Sequence, residues 1–263
     1  MTLSIIGANA AIVLAIASAL WVASVRLRDA SIVDPWWSIL FLSITANTVR
    51  STGFGLKKGV LLALVAAWAI RLWAHLLRRS LGKPEDPRYA AFRERFGRDR
   101  YWWFSFFQVF LLQGALALLV SAPLQVAASA TPDAPLAWTD AVGVALFAAG
   151  FAFEAIADAQ LQRFRDDPGT RGQVMDRGLW ALTRHPNYFG EAVLWWGFGC
   201  FALGAPYGWI ALAGPALMMF LLLRVSGVTM LDAHLRATKP GYAAYCERTP
   251  AFFPRWRNAR RSR

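Results

Sequence analysis

The sequence predicts an all-α integral membrane protein: a bundle of seven transmembrane helices, N-terminus outside and C-terminus cytoplasmic. Three observations predict it. The 263-residue chain is 57% hydrophobic and only 17% charged, short of the charge a soluble domain carries. Apolar runs of about 20 residues, enough to cross a bilayer core, recur along it. The runs are continuous rather than alternating, so they read as helices and not as barrel strands, the two forms that satisfy the backbone in lipid.

The first span covers 3–25. Its stretch "MTLSIIGANAAIVLAIASALWVASVRLRD" lacks an early basic region and a cleavage site, so it reads as a helix that stays rather than a removed signal peptide. The second, 33–50, opens on Asp34 and Pro35. Pro suits a first helical position, so Asp34 is either an N-cap or a carboxylate at the far end of a substrate cavity. The third, 58–78, carries Arg71, His75 and Arg78 on one stripe that can face a bundle interior. The fourth runs 104–128. The fifth, 138–162, ends with Glu154 and Asp158 four apart and Arg165 seven further on. This is either a functional face or a solvated helix end. The sixth and seventh are 187–204 and 206–230. No internal repeat interrupts them.

Loop charge sets the expected orientation. The segments 78–100 and 163–184 and the tail after 232 are rich in Arg, whereas 129–137 and 204–207 hold no Lys or Arg. The first three therefore lie in the cytoplasm. Arg50, Lys57 and Lys58 fall on the outer side, against the rule. The net charge of +12 serves mostly this orientation, leaving some arginines for a phosphorylated ligand; nucleic acid is not the expected partner.

The stretch "GLWALTRHPNYFGEAVLWWG", 178–197, concentrates the chemistry. Pro186 suits a first turn, with Thr183 as a cap. Asn187 and Glu191, four apart, share a helix face. A Glu one turn inside a span is costly unless it is paired or faces a wet cavity. It is either bonded to a neighbouring helix, for instance through Arg224 or Arg71, or functional. The chain lacks GxGxxG, GxxxxGK[ST], HExxH and GxSxG, and its three His and two Cys are scattered. A Rossmann site, a metal site and an acyl-transfer serine are not expected.

That stretch resembles the C-terminal region of membrane steroid 5α-reductases. The likeness continues through "DAQLQRFRDDPG", "RLWAHLLRRSLGKPEDPRY" and the tail "GYAAYCERTPAFFPRW", over most of 60–256. Isoprenylcysteine carboxyl methyltransferases, which use S-adenosylmethionine, share an RHPxY-G signature, and sterol C14 and C7 reductases carry RHPNY-G-D. NYFGE favours the 5α-reductase form. The resemblance implies one domain over 1–263: variable spans to 57, a catalytic and cofactor-binding region over 58–256, and a basic tail over 257–263. It implies NADPH, with Asn187 and Glu191 at the nicotinamide end, Asp158, Arg165, Arg78 and Arg88 holding the cofactor, and Glu154, Arg184, His185, Tyr188 and Tyr242 around it. Asp232 and His234 stand where the family has a His. The family's carbonyl-side acid is a Glu–Tyr pair. Asp34 is the expected carboxylate, with His75, or Tyr89 in its place, as the expected donor. The expected reaction is hydride transfer to the 4,5 double bond of a 3-oxo-4-ene steroid or similar lipophilic enone. The enzyme is expected to be a monomer surrounded by lipid in a bacterial cytoplasmic membrane.

Overall fold

A computed structural model describes residues 2–225 and 228–255, the side chains at 229–231 and 234 excepted. The His234 side chain and the basic tail expected over 257–263 lie outside what is described. The described residues form helices and no strand: α1 (Leu3–Leu27), α2 (Val33–Thr52), α3 (Leu56–Ser80), α4 (Pro87–Phe96), α5 (Tyr101–Ser105), α6 (Leu112–Val120), α7 (Ala122–Ala128), α8 (Trp138–Asp166), α9 (Pro186–Ala202), α10 (Ala213–Phe220), α11 (Val228–Thr238) and α12 (Tyr242–Arg248). A π-helical stretch, Phe106–Leu111, joins α5 to α6, and another, Leu221–Val225, follows α10.

Five segments are long and apolar enough to cross a membrane: Leu3–Leu27, Leu56–Ser80, Tyr101–Val120, Trp138–Asp166 and Gly208–Val225. All seven expected segments contain helix, but two fall short of that standard for identifiable reasons. The α9 helix has 17 residues. The α2 helix is diluted by Ser38, Thr45, Asn47 and Thr48, all buried. Its hydroxyls turn to backbone: Ser38 donates to the Ala69 carbonyl at 2.9 Å and Thr45 to that of Phe41 at 2.8 Å.

Contacts divide the chain into two compact units. The first comprises Met1–Ala137 with Phe201–Gly214. Here α2 is the central helix, packed on α1, α3, α6 and α7. Phe41 and Ile44 of α2 are wholly buried with Leu61, Val65 and Trp68 of α3, and Phe41 meets Trp68 edge-on at 5.7 Å. A polar clasp crosses this core. Asn9 donates to Thr48 Oγ1 at 3.0 Å and Gln125 Oε1 at 3.1 Å, and accepts from Asn47 at 2.8 Å. Such bonds replace the hydrophobic drive that lipid does not supply between helices.

The charges expected outside have internal tasks. Lys58, 1% exposed, donates to the carbonyls of Thr52 and Gly53 at 3.0 and 2.9 Å and to Thr52 Oγ1 at 2.8 Å. It caps the carbonyl end of α2, where a cation is favoured. Arg50 donates to Asn47 Oδ1 at 3.1 Å.

The second unit comprises Trp138–Cys200 and the described residues from Pro215 onward. Its α8 and α9 run antiparallel in backbone contact. A Cβ on Gly150 would lie 2.5 Å from the Gly190 carbonyl oxygen, and one on Gly197 would lie 2.7 Å from that of Gly143. Only glycine permits this approach. The buried residues Asp140, Gly143, Phe147, Gly150, Glu154 and Ala157 of α8 repeat at intervals of three and four, one seam with an acid toward each end.

Candidate functional site

Each unit carries a polar cluster centred on one carboxylate. In the first, Asp86 caps α4, accepting from the Arg88 backbone N–H at 2.9 Å, with Pro87 in the first turn. That cap aims the next two side chains at α2. Tyr89 donates its hydroxyl to Asp34 Oδ1 at 2.6 Å, and Arg88 Nη2 donates to Asp34 Oδ2 at 2.7 Å. Arg88 Nε also donates to Asp86 Oδ1 at 2.9 Å. Beside them Glu85 accepts from the Ala30 backbone at 2.8 Å and from both Nε and Nη2 of Arg93 at 3.0 and 2.8 Å. The start of α2 is thus tied to the connection between α3 and α4.

This arrangement corrects the N-cap reading of Asp34. The α2 helix begins at Val33, so Asp34 lies within its first turn and spends its carboxylate on Tyr89 and Arg88. Of the two donors expected opposite it, His75 is half-buried on α3, and Tyr89 is the one bonded to Asp34. Arg88, expected at a phosphate, bridges Asp34 and Asp86 instead. Arg78 is exposed at the end of α3. Burial, then the charge and hydrogen bond of Asp34, push the Tyr89 phenol far above its ordinary range, so it stays protonated. Burial opposes ionisation of Asp86, but the bonds from Arg88 outweigh it and hold the carboxyl below its usual range. Asp34 lines a cleft of about 340 Å³ with Ser31, Leu76, Arg79, Ser80 and Lys83.

In the second unit Gly178, at φ +59°, turns the chain into the motif loop, where any Cβ would collide with the Gln160 amide at 2.6 Å. Gln160 receives the Leu179 N–H at 3.0 Å, and Trp180 Nε1 donates to the Ala157 carbonyl at 3.0 Å, seating the loop on α8. The helix then starts at Pro186, as the sequence predicts. Asn187 donates to Asp158 Oδ1 at 3.1 Å, joining α9 to α8, and accepts the Tyr188 backbone N–H at 3.0 Å. Glu154 and Asp158 on α8 and Glu191 on α9 are 2%, 6% and 8% exposed. Four expected residues therefore meet at one helix pair. Arg165 is exposed further along α8.

The remaining expected residues gather elsewhere in this unit, on a carboxylate that sequence reasoning did not assign. Asp232 Oδ2 accepts from Arg184 Nη2 at 2.6 Å, and Oδ1 accepts from the Tyr242 hydroxyl at 2.5 Å and pairs with His185 Nε2 at 3.0 Å. Tyr188 stacks on His185 with rings 3° from parallel. Arg184 Nη1 also reaches the carbonyls of Thr249 and Cys246 at 2.8 and 3.1 Å. The Thr183 hydroxyl, expected as a helix cap, donates to the Phe252 carbonyl at 2.8 Å. Burial works against an ionised Asp232, but the bonds from His185, Arg184 and Tyr242 prevail and hold it well below the ordinary carboxyl range. The available signal was an acid standing in a basic tail. Among the described residues no group of His, Cys, Asp and Glu is arranged to hold a metal ion.

The family model described as "Protein of unknown function (DUF1295)" matches residues 20–249. An uncharacterized protein of Schizosaccharomyces pombe, C594.04c, is 25% identical over 272 residues, covering 90% of this chain and 76% of the relative. No solved structure matches the chain. With the family match running from within α1 to just past α12, and so across both polar clusters, the chain belongs to the DUF1295 family.

Proposed function

We propose that this protein is an NADPH-dependent membrane reductase that adds hydride to the 4,5 double bond of a 3-oxo-4-ene steroid or a similar lipophilic enone. The observation that carries the reading is the 2.6 Å bond between Tyr89 and Asp34, a carboxylate–tyrosine pair of the kind the resemblance calls for. In this reading α2 and α9 complete seven spans, with the N-terminus outside and the motif loop in the cytoplasm.

The donor set fits the cofactor. In the second unit the Asn187 amide and the buried acids Glu154, Asp158 and Glu191 suit a carboxamide. On the stretch after α8, Arg171 and Arg177 are exposed, as is Arg163 near its end, and none of the three has an ion pair among the described residues. Guanidinium forks suit a diphosphate and a 2′-phosphate. Bound NADPH would supply the hydride. Asp158 fixes the Asn187 amide, and Asn187 with Glu191 would hold the carboxamide. In the first unit Tyr89 carries a proton that burial and Asp34 keep on its oxygen, ready for charge that develops on a substrate carbonyl. Arg88 balances the Asp34 carboxylate. Proton delivery of this kind contributes on the order of 10²–10⁴-fold.

The test is ligand stabilisation of the detergent-purified protein, followed by NADPH consumption with a panel of steroid enones. NADPH is expected to raise the melting temperature, by the equivalent of about 2.7 kcal/mol at a hundred times its Kd. Stabilisation by S-adenosylmethionine and not by NADPH overturns the reading and makes the RHPNY stretch a methyltransferase motif.

A further inference from the structure

The cations from the last turn of α3 to the start of α5 divide into two sets. Arg88, Arg93 and Arg98 are consumed by Asp34 and Asp86, Glu85, and Glu94. Arg78, Arg79, Lys83, Arg95 and Arg100 are all exposed and have no carboxylate in ion-pair contact among the described residues. Arg79 lies only near enough to Asp86 to favour its charge. Asp99 is the one acid of the segment left outside these pairs. Five cations therefore face outward against a single carboxylate.

Their height is set by the fold. The segment is bounded by Leu56–Ser80 and Tyr101–Val120, both apolar enough to cross a bilayer, so it runs at headgroup level. The α4 helix does not lie loosely there. Its apolar side is spent on the protein, with Tyr89, Phe92 and Phe96 packed against Tyr101, Val109 and Phe110. Phe96 stacks on Phe104 at 4.5 Å, and the Arg93 guanidinium sits 4.7 Å over the Tyr101 ring. At the start of the next span Trp102 and Trp103 are 50% and 41% exposed. Exposed indoles at a span's end mark the membrane–water interface.

We infer that this face is a docking surface for anionic phospholipid headgroups, with Arg79, Lys83 and Arg95 taking the phosphates and Trp102 and Trp103 seated beneath them. A juxtamembrane cluster of four to eight unpaired cations attracts acidic lipid, each cation contributing about fivefold in association. Orientation alone would not require the cations to remain unpaired after folding. The inference does not rest on the reductase reading, although Arg79 and Lys83 also line the cleft beside Asp34; its readout is lipid preference and not turnover.

The test uses the full chain in phosphatidylcholine vesicles with traces of spin-labelled phosphatidylglycerol or phosphatidylcholine. The fraction of each probe held at the protein is measured. Phosphatidylglycerol is expected to be preferred. The variant R79Q/K83Q/R95Q, changed only at exposed positions, is expected to lose about fivefold or more of that preference. The paired control E94Q/R98Q is expected to keep it. An unchanged preference in the triple variant overturns the inference. So does loss of the preference to inorganic phosphate at matched ionic strength, which would assign the cations to a soluble anion.

Discussion

Asp34 and Asp232 are built alike and used differently. Each accepts a tyrosine hydroxyl on one carboxylate oxygen and an arginine on the other, at 2.6 and 2.7 Å for Asp34 and at 2.5 and 2.6 Å for Asp232. Their surroundings separate them. Asp34 borders an open cleft, and its arginine is 38% exposed. Asp232 adds a histidine, its arginine is 10% exposed, and that arginine's other nitrogen is spent on backbone carbonyls 62 and 65 residues downstream. The first cluster sets its carboxylate at the edge of accessible space, with Tyr89 buried behind it. The second is a strut that closes the tail over the motif loop. The same three side-chain types carry no fixed role; access decides it.

The comparison is sharpest at the tyrosines. Tyr89→Phe is expected to lower enone reduction on the order of 10²–10⁴-fold, with only about 1 kcal/mol lost from stability. Kinetics and melting on one preparation check both. Equal activity in this variant removes the pair from the chemistry. The carboxylates should show the opposite order. Asp232→Ala strands a buried guanidinium and should cost about 3–5 kcal/mol, whereas Asp34→Ala leaves Arg88 its Asp86 partner and should cost about 1 kcal/mol. Similar thermal losses for the two would erase the distinction.

The helix pair beneath the motif responds to volume. A methyl on Gly190 meets the Glu154 nitrogen and the Gly150 carbonyl at 2.6 Å, so Gly190→Ala should cost about 1–3 kcal/mol by melting. A smaller effect is expected with pH. The folded-state pKa of Asp232 is depressed, so its contribution is fully present above the ordinary carboxyl value of about 3.9 and is lost as pH falls through the folded value. The stability gap between the parent and Asp232→Asn should therefore narrow below about pH 4. A gap constant to pH 3 would deny the ionised strut. The smallest effect belongs to the exposed pair Arg98–Glu94: Arg98→Gln should leave melting unchanged.

Much of the helical plan was legible, because apolar runs of spanning length leave the backbone few options. The pairing of Asn187 with Asp158 was half legible: spacing put each on a helix face, but which faces meet depends on Gly150 and Gly190, whose role appears only when the backbones touch. Asp34 was legible two ways: Pro35 advertises a helix start and suggested a cap, whereas Tyr89, 55 residues away, was named as a donor only through the resemblance, and nothing near Asp34 in sequence announces it. Lys58 looked like a topology violation because loop charge counts cannot see that a lysine folds back onto a helix end. Asp232 escaped because its three donors come from 48 and 47 residues upstream and 10 downstream.

The latch over the motif loop also has a consequence in time. Thr183 and Arg184 find their carbonyl partners at residues 246–252, at least 62 positions later. At synthesis rates of about 5–20 residues per second, that distance is roughly 3–13 s of translation. During that interval the polar loop has left the ribosome's instruction but not met its partners. A nascent chain halted before residue 246 would hold the loop without these carbonyl partners, so the state of the loop becomes a report on how far synthesis has run.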